Sequence, residues 1–386
     1  MRLFFRYLSL ICSFISTING YSYNYAAWSE YIQGVYDQLE MTGLGIAVVQ
    51  NDSIIYQSSF GYSQLPTDST PGRILKNDDL FRIASISKTF IATTILQLEE
   101  EGKLLINDNA SDYLDYSLKN PYYPESPITI FHLLTHLSSI NDSQSTWDID
   151  KLNPESQNYS TKCFSSSLPG KEFKYCNLNY NLLGAIIENI TGENLSNVIK
   201  VRILNPLNLS GSYDLQELDS NKFVKLYRYQ KDTKTYQEET KAYVPAIKIN
   251  QRDYRIGKDT GGYLNPAGGM KMSTGDLANY MIMHINSGRI DEDSIISEED
   301  ENRMRKNYVG KNDYGLSFKQ YKDIRKNYTF YGQTGGAYGL RSAMIFEPIN
   351  KIGFIIISSG SKSQYINGYG DIHKPIIQRI VKDLLP

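Results

Sequence analysis

Apolar residues recur along the first part of this chain with two different spacings. Between Trp28 and Leu39 they return every three or four residues, which is the spacing of one face of an α-helix. Two short apolar runs follow, at 44–49 and 53–56, and the polar turn 50–52 separates them. Strand-like runs joined by a polar turn are typical of a hairpin. The pattern therefore predicts a helix that packs over an antiparallel sheet.

Helical spacing dominates the middle of the chain, and capping residues mark where several of the helices begin. The predicted helices are the run behind Ser85 that ends at Gly102, 128–136 with Thr129 as N-cap, 177–190 with Gly192 as terminator, 195–206, 273–284, and a helix behind a capping box at Ser297–Asp300. The polar stretch 141–167, between the predicted helices 128–136 and 177–190, is predicted to be a surface loop.

The last part of the chain returns to sheet, with strands predicted at 342–346 and 352–357 and a final amphipathic helix over 376–384. Sheet at both ends with helices between predicts the α/β (α+β) class. We expect an antiparallel sheet built from N- and C-terminal segments and flanked by helices, with an inserted, mostly helical half. The expected organisation is a single catalytic domain over 21–386. Its α/β part spans about 25–80 and 310–386, and its helical part spans about 81–300.

Composition and charge narrow the possible partners. The chain has 386 residues, 41% of them hydrophobic, and its formal net charge is −2. This balance gives no electrostatic reason to expect nucleic acid or an anionic membrane as a partner. We therefore expect a small-molecule or peptide substrate, for which a peptidoglycan fragment is one possibility.

Residues 1–20 have the pattern of a secretory signal peptide. Arg2 and Arg6 precede an apolar stretch over 7–17, which is too short to span a bilayer comfortably. The mature chain is then expected to carry no transmembrane span and to be secreted or periplasmic. A retained anchor is the alternative, and lipid attachment at Cys12 is a lesser one because no small residue precedes that cysteine.

The remaining cysteines and the histidines do not predict a metal site. Cys163 and Cys176 could pair in an oxidising compartment, or they could be two free, buried thiols. His132 and His136 have the spacing of a zinc-protease helix, but Leu133 stands where the glutamate of that motif would be. No metal or other cofactor is predicted.

The clearest candidate chemistry lies at Ser85 and Lys88. On a helix, residues three apart share one face, so the amine could reach the hydroxyl. A serine hydroxyl needs a neighbouring base, and a lysine can act as that base when burial lowers its pKa. Ser359 and Lys362 have the same spacing, but they follow a strand-like run with no helix behind it, and we set that copy aside.

Two further short segments carry chemistry that Ser85 would need. Tyr175 and Asn177 precede a helix, where a phenol could relay protons and a carboxamide could hold a substrate amide. The segment Gln333–Gly336 precedes a strand, and its small residues let a substrate backbone approach. The Gly336 N–H could complete an oxyanion hole with that of Ser85. Each segment alone is more often a turn than a site.

Together, in this order and spacing, the three segments resemble the serine β-lactamase and penicillin-binding protein family. The likeness is to its class C-like branch, which includes D-Ala-D-Ala carboxypeptidases and esterases. Phe81–Phe90 resembles the first motif of that family, Tyr175-Cys-Asn177 the second and Gln333-Thr-Gly335 the third. Further similar segments extend the resemblance over roughly 28–385: Gly102–Leu104, Ile128–His136, Asn179–Gly184, and Pro266–Gly269 with Asp276-Leu277.

The resemblance implies an exported serine hydrolase that acylates Ser85 and then releases the acyl group to water. It makes Lys88 and Tyr175 the base and proton relay, in an order that sequence leaves open. It makes Asn177 and the third motif (Gln333, Thr334, Gly335, Gly336) substrate-binding. It leaves His132 and His136 on a structural helix.

Gln333 departs from the family pattern, because relatives usually carry Lys or His at this position. A neutral amide brings no charge for a substrate carboxylate, so Arg341 is the candidate replacement cation. The alternatives are an esterase with little peptidase or lactamase action, and a non-hydrolytic relative that binds peptidoglycan or another ligand.

Overall fold

A computed structural model describes residues 23–243, 265–290 and 293–386 of the chain. The segment 1–20, predicted to be a secretory signal, lies outside these residues. In the part of the chain that is described, no helix is both long enough and apolar enough to cross a membrane.

The main sheet joins the two ends of the described chain, and this confirms the predicted α/β (α+β) architecture. Its strands are β1 (Gly43–Gln50), β2 (Ser53–Gln64), β3 (Arg73–Ile74), β11 (Lys319–Tyr321), β12 (Phe330–Ala337), β13 (Leu340–Glu347) and β14 (Ile352–Gly360). They follow the order β11-β12-β13-β14-β1-β2-β3, and every neighbouring pair is antiparallel. N-terminal β1 pairs with C-terminal β14, with Ile46 opposite Ile356.

The short strands outside this sheet are β4 (Phe81–Arg82), β5 (Gly211–Ser212), β6 (Tyr227–Gln230), β7 (Thr235–Glu238), β8 (Lys271–Met272), β9 (Arg289–Ile290) and β10 (Asp293–Ser294). Strand β8 pairs with both β4 and β5, which fixes the residues that lead into Ser85.

The helices of the described residues are α1 (Tyr25–Gln38), α2 (Ser87–Glu100), α3 (Ile130–Leu134), α4 (Asn177–Thr191), α5 (Leu195–Ile199), α6 (Thr274–Ile285), α7 (Glu298–Arg305) and α8 (Lys374–Leu384). The sequence predicted a helix close to each of these positions. A π-helical turn, Lys200–Leu204, continues α5. Gly192 adopts the left-handed conformation that ends α4, as its predicted role as terminator requires.

Alternating side chains give the central strands two buried faces. On one face, Ile46 and Ile356 join a cluster with Trp28 of α1 and Ile376 of α8. On the other face, Ala47 and its neighbours join the larger cluster that includes α2 and α4. Burial on both faces explains why these strands are almost entirely apolar.

Helix α6 differs from the predicted two-part division. Its sequence position lies within the range expected for the helical half, yet it packs across β1, β13 and β14. Met281 of this helix packs over Gly353, where a Cβ would come within 2.4 Å of the terminal methyl of the Met281 side chain. Helices α2 and α4 pack on each other beside this layer, and the 3₁₀ turn Ala84–Ile86 that leads into α2 packs against strand β12.

The prediction of a surface loop over 141–167 is wrong in part. Two short 3₁₀ turns, Ile149–Leu152 and Thr161–Cys163, interrupt the segment, and Ile149, Leu152 and Cys163 are buried. Polar composition hid this packing, because the buried residues are few and have no regular spacing. The segment therefore covers the N-terminal end of α4.

The sequence predicted N-terminal capping residues for α7 and α3. Ser297 accepts a hydrogen bond from the Asp300 N–H, but the Asp300 carboxylate binds Arg303 and no return bond closes a capping box. Thr129 caps α3 as expected, and His132 completes a capping box with it. His132 thus belongs to the start of that helix.

Candidate active site

Ser85 lies on a 3₁₀ turn, Ala84–Ile86, just before α2 begins at Ser87. The predicted helical start was therefore two residues early, although the three-residue separation still brings Ser85 and Lys88 together. Ala84 has a φ of +48°, a left-handed conformation that is uncommon for a residue with a side chain. The turn presents Ser85 toward strand β12.

Glycine at position 335 allows β12 to pass directly against this turn. A Cβ on Gly335 would come within 2.8 Å of both the Ser85 nitrogen and the Ala84 Cβ. Strand β12 therefore forms one wall beside Ser85, as the third motif led us to expect.

Lys88 is completely buried, and its amine contacts three oxygen atoms. Nζ lies 3.1 Å from Ser85 Oγ, 2.8 Å from Asn177 Oδ1 and 2.7 Å from the Ala267 carbonyl oxygen. The two carbonyl-type oxygens can only accept hydrogen bonds. They can occupy both N–H groups of a neutral amine, which leaves the nitrogen lone pair directed at Ser85.

Burial lowers the pKa of Lys88 to about 7, because the charged ammonium loses its hydration. The negative charge of Asp142 and a thiolate at Cys176 would act in the opposite direction. A substantial fraction of the amine is therefore neutral near pH 7, as a general base must be.

The ring of Tyr175 lies close to the Lys88 amine. Lys88 Nζ is 5.0 Å from its ring centre, and the ring packs on His136 with centroids 4.4 Å apart. Tyr175 is 39% exposed as a residue, but desolvation at its hydroxyl raises the pKa of Tyr175 above its usual range, and a hydrogen bond with Ser85 offsets only part of this rise. The phenol is therefore protonated at neutral pH and can donate a hydrogen bond.

Asn177 and Asp142 join the N-terminal end of α4 to the site. The Asn177 Nδ2 donates to Asp142 Oδ2 at 2.8 Å, while its Oδ1 faces Lys88. Backbone N–H groups of Asn177 and Leu178 also donate to the Asp142 carboxylate, at 2.9–3.1 Å. Asp142 thus caps α4, a function that Cys176 at the N-cap does not perform.

Sequence reasoning missed Asp142. The signal that could have found it is weak: α4 begins behind a cysteine, which is not a capping residue, so an acceptor from elsewhere is needed. Nothing in the sequence says which of the nearby polar residues supplies it.

Gln333 is buried and fully engaged with its surroundings. Its Nε2 donates to the Tyr314 hydroxyl and to the Ser317 carbonyl oxygen, both at 3.0 Å, and its Oε1 accepts from the Thr334 N–H at 3.1 Å. Thr334 Oγ1 in turn accepts from Asn367 Nδ2 at 3.1 Å. The part of β12 that carries the third motif is therefore neutral at Gln333, and the side-chain amide of Gln333 already has its hydrogen-bond partners.

Arg341 is not brought together with the other candidate residues. It pairs with Gly336 across β12 and β13, whereas Ser342 pairs with Gly335 and faces the Ser85 turn. Neighbouring residues of a strand point to opposite faces. The Arg341 guanidinium instead binds the carbonyl oxygens of Tyr365 and Leu340. It does not supply the cation that Gln333 lacks.

His136 was predicted to lie on the helix 128–136, but α3 ends at Leu134 and His136 follows it, where the ring packs against Tyr175. Its Nδ1 accepts from the Cys176 N–H at 3.2 Å, and its Nε2 lies 3.3 Å from the Tyr314 hydroxyl. Burial and the positive charge of Lys88 hold its pKa well below the usual range. The ring is therefore neutral, with its proton on Nε2.

The two cysteines of the described residues, Cys163 and Cys176, are free and buried. Of the two alternatives, the structure thus shows the unpaired one. Within the described residues, no cluster of three or more His, Cys, Asp or Glu side chains could hold a metal ion.

Known proteins resemble this chain at the level of sequence and of fold. A curated relative, Protein flp of Staphylococcus aureus (strain MRSA252), is 30% identical over 172 residues, which are 44% of this chain and 34% of that protein. The matched region is thus about a third of the relative's length. The octameric penicillin-binding protein homologue from Pyrococcus abyssi superimposes with a TM-score of 0.73 at 22% identity, covering 93% of this chain and 78% of that one.

The hydrolase EstCE1, described as having promiscuous acyltransferase activity, superimposes with a TM-score of 0.68 at 17% identity and covers 92% of this chain and 99% of its own. At such identities these likenesses concern the fold. The sequence model of the Beta-lactamase family matches residues 28–368. This chain belongs to the beta-lactamase family.

Proposed function

We propose that this protein is a serine hydrolase that cleaves an amide or ester through an acyl-enzyme on Ser85. The observation that carries the proposal is the environment of Lys88. In its neutral form, the buried amine can donate its two N–H groups to the Asn177 and Ala267 oxygens. Its lone pair then points at the Ser85 hydroxyl. Membership of the beta-lactamase family supports the same chemistry.

In the proposed acylation, Ser85 Oγ forms a bond to the substrate carbonyl carbon while its proton passes to Lys88. The bond from that carbon to the leaving oxygen or nitrogen then breaks, and the leaving group takes the proton through the Tyr175 hydroxyl. Water next attacks the acyl group, which releases a carboxylic acid and restores the serine. A protonated Tyr175 beside a Lys88 with a lowered pKa supports the assignment of Lys88 as the base and Tyr175 as the relay.

The Ser85 N–H, together with that of Gly336, remains our candidate for binding the developing oxyanion. Strand β12 runs directly beside the turn that carries Ser85, and this proximity supports the assignment. Asn177 contacts Lys88 and is the candidate for holding a substrate amide. Export to the periplasm or to the outside of the cell stays part of the proposal through the segment 1–20.

Among the possible substrates, we favour neutral esters and amides over those with a free carboxylate. Gln333 brings no charge, and its amide group is committed to Tyr314, Ser317 and Thr334. Arg341 binds backbone oxygens elsewhere. The likeness to EstCE1, described as a hydrolase with promiscuous acyltransferase activity, supports acyl transfer as the chemistry. The likeness to a penicillin-binding protein homologue keeps β-lactams as second candidates, and the motif resemblance to D-Ala-D-Ala carboxypeptidases keeps D-amino-acid peptides beside them.

A panel of three substrate types tests the proposal. The purified protein is offered p-nitrophenyl esters, a D-Ala-D-Ala peptide and nitrocefin. Hydrolysis of the esters with little turnover of the other two supports the preferred substrate class. Turnover of the peptide or of nitrocefin would instead support the second substrate class, D-amino-acid peptides and β-lactams. A protein that turns over none of them and does not react with a fluorophosphonate would instead be a binding relative.

Substitution of Gln333 by Lys is expected to shift the substrate preference. A cation on the β12 wall offers a charge-assisted hydrogen bond to a carboxylate, and about 1.4 kcal/mol of added binding corresponds to a tenfold change. We expect the ratio of kcat/KM for a carboxylate-bearing ester to that for its neutral methyl ester to rise about tenfold. Gln333→Met, which has similar length and no charge, is the matched control. An unchanged ratio in Gln333→Lys would show that this position does not set carboxylate recognition.

The pH dependence of kcat/KM is expected to show an acid limb near pH 7. Below that pH Lys88 is an ammonium and cannot accept the Ser85 proton, so the rate should fall tenfold for each unit of pH. Above it the rate should stay level past pH 10, because the pKa of Tyr175 is raised. The polar and titratable groups around the Lys88 amine are Ser85, Asp142, Tyr175, Cys176, Asn177, Tyr180 and His136. A limb near pH 10, the ordinary range of lysine, would contradict the lowered pKa of Lys88 and its role as a neutral base near pH 7.

A further inference from the structure

We propose that Asp142 is a positioning residue for the reaction at Ser85. By holding the side-chain amide of Asn177 in one orientation, it directs the lone pair of Lys88 at the serine hydroxyl. This inference rests on the proposed hydrolase function and adds to it a residue outside the three motifs.

The contacts of Asp142 surround one end of Asn177. The carboxylate accepts from the Asn177 side-chain Nδ2 at 2.8 Å and from the Asn177 backbone N–H at 2.9 and 3.0 Å. The Leu178 N–H and the Cys176 thiol also lie within 3.1 Å of its Oδ1. The N-terminal end of α4 carries a partial positive charge, which attracts the side-chain oxygens of Asp142.

These contacts allow only one orientation of the Asn177 amide. An ionised carboxylate accepts hydrogen bonds and cannot donate them, so the NH₂ group must face Asp142 and the oxygen must face Lys88. If the amide were reversed, its oxygen would lie against the carboxylate and its NH₂ group against the amine. The contact between the amide oxygen and the carboxylate would then be repulsive, and the NH₂ group could meet the amine only by donating to its lone pair.

The orientation of the amide decides where the Lys88 lone pair points. With Oδ1 toward the amine, Asn177 and the Ala267 carbonyl take the two N–H groups, and the third direction is that of Ser85. The Ala267 segment is itself held by α4, because Asn181 Oδ1 accepts from the Ala267 N–H at 3.0 Å. With an NH₂ group toward the amine, the lone pair would turn to that group and away from the serine.

Asp142→Asn separates this positioning role from simple helix capping. Asparagine caps helices as well as aspartate does, so α4 should keep its start. Its own NH₂ group, however, removes the reason for Asn177 to keep its orientation. We expect kcat/KM for a p-nitrophenyl ester to fall about 100-fold, the cost of a misplaced reacting group. We also expect the acid limb to move to lower pH, because a negative charge that favours the ammonium has been removed.

The double variant Asp142→Asn with Asn177→Asp restores the hydrogen bond with its polarity reversed. A carboxylate at position 177 must accept both from Lys88 and from the amide introduced at position 142. We expect part of the lost rate to return, and the acid limb to move above that of the wild type because a carboxylate now contacts the amine. If Asp142→Asn cannot be purified in a folded state, the test uses this double variant alone. An acid limb of kcat/KM at or below the pH of the wild-type limb would then overturn the proposal.

Ser297→Ala is the matched control for stability. Ser297 caps α7 by accepting the Asp300 N–H, as Asp142 caps α4, but it has no contact with Lys88. Its loss is expected to lower the Tm, because a helix cap is removed. The kcat/KM should stay within about twofold of the wild-type value and the acid limb within about 0.2 pH units of the wild-type position, since only the folded fraction is affected. If Asp142→Asn behaves like this control, Asp142 is only a cap.

A direct titration of Lys88 distinguishes failure of this inference from failure of the proposed function. The ¹⁵Nζ signal of Lys88, assigned by its absence in Lys88→Met, is followed against pH in the wild type and in Asp142→Asn. A lower midpoint in the variant supports the positioning role even if no substrate is hydrolysed. Normal hydrolysis with unchanged midpoint and unchanged rate in the variant would overturn the role of Asp142 and leave the hydrolase proposal intact.

Discussion

Replacement of Ser85 by Ala is expected to reduce hydrolysis of a p-nitrophenyl ester by at least about 10⁴-fold, because the atom that forms the acyl bond is removed. The fold should be retained. Ser85 is half-buried on a turn whose geometry depends on Ala84 and on the approach of Gly335, and alanine fits the same backbone. Steady-state rates together with thermal unfolding would separate lost chemistry from lost structure.

The chain contains a matched control for this substitution. Ser359 stands three residues before Lys362, as Ser85 does before Lys88, but Ser359 lies at the end of strand β14 and its hydroxyl is 2.7 Å from Thr42 Oγ1. Lys362 pairs with Glu40 at the surface. Ser359→Ala should therefore keep the wild-type turnover rate. Comparable rates in Ser85→Ala and Ser359→Ala would remove Ser85 as the nucleophile.

Replacement of Lys88 by Met is expected to lower kcat/KM by about 10³- to 10⁴-fold. Methionine keeps most of the buried aliphatic stem but cannot take the Ser85 proton, and general-base catalysis contributes about this much. The variant leaves the Asn177 and Ala267 oxygens without their donor, so some loss of stability should accompany the loss of rate. The distinguishing result is the pH profile: the remaining activity should lack the acid limb near pH 7.

Lys271→Met controls for the removal of a buried lysine. Lys271 is also buried, and its Nζ donates to the Tyr213 carbonyl oxygen at 3.0 Å, away from the serine. Burial and the charge of Arg82 hold its pKa well below the usual range. Its replacement should alter the Tm without removing the acid limb. A loss of rate in Lys271→Met equal to that in Lys88→Met would mean that the effect is structural.

The features that depend on local pattern were predictable from the sequence. Apolar patterning located strands β1, β2, β13 and β14 and the helices, and the pairing of Ile46 with Ile356 confirms that the two ends meet. Strand β12 was missed, because the segment Gln333–Gly336, predicted to precede a strand, lies within it. The three-residue separation of Ser85 and Lys88 survives even though their helix begins only at Ser87. Short-range geometry is insensitive to such small shifts in a helix boundary.

The features that depend on contacts between distant segments were not predictable. Asp142 lies in a stretch without periodicity, and its contact with Asn177 joins residues 35 positions apart. The orientation of Arg341 depends on the register of β12 against β13, because a shift of one residue would turn it to the Ser85 face. Gln333 could be recognised as neutral, but its commitment to Tyr314 and Ser317 required the packed structure.

The most direct test of the account is to locate the acyl group during turnover. The protein is mixed with an activated ester at neutral pH, quenched with acid during turnover, digested and examined by mass spectrometry. We expect one added acyl group per chain, on the peptide that contains Ser85, and none in Ser85→Ala. An acyl group on any other residue, or product release without a covalent species on Ser85, would contradict it.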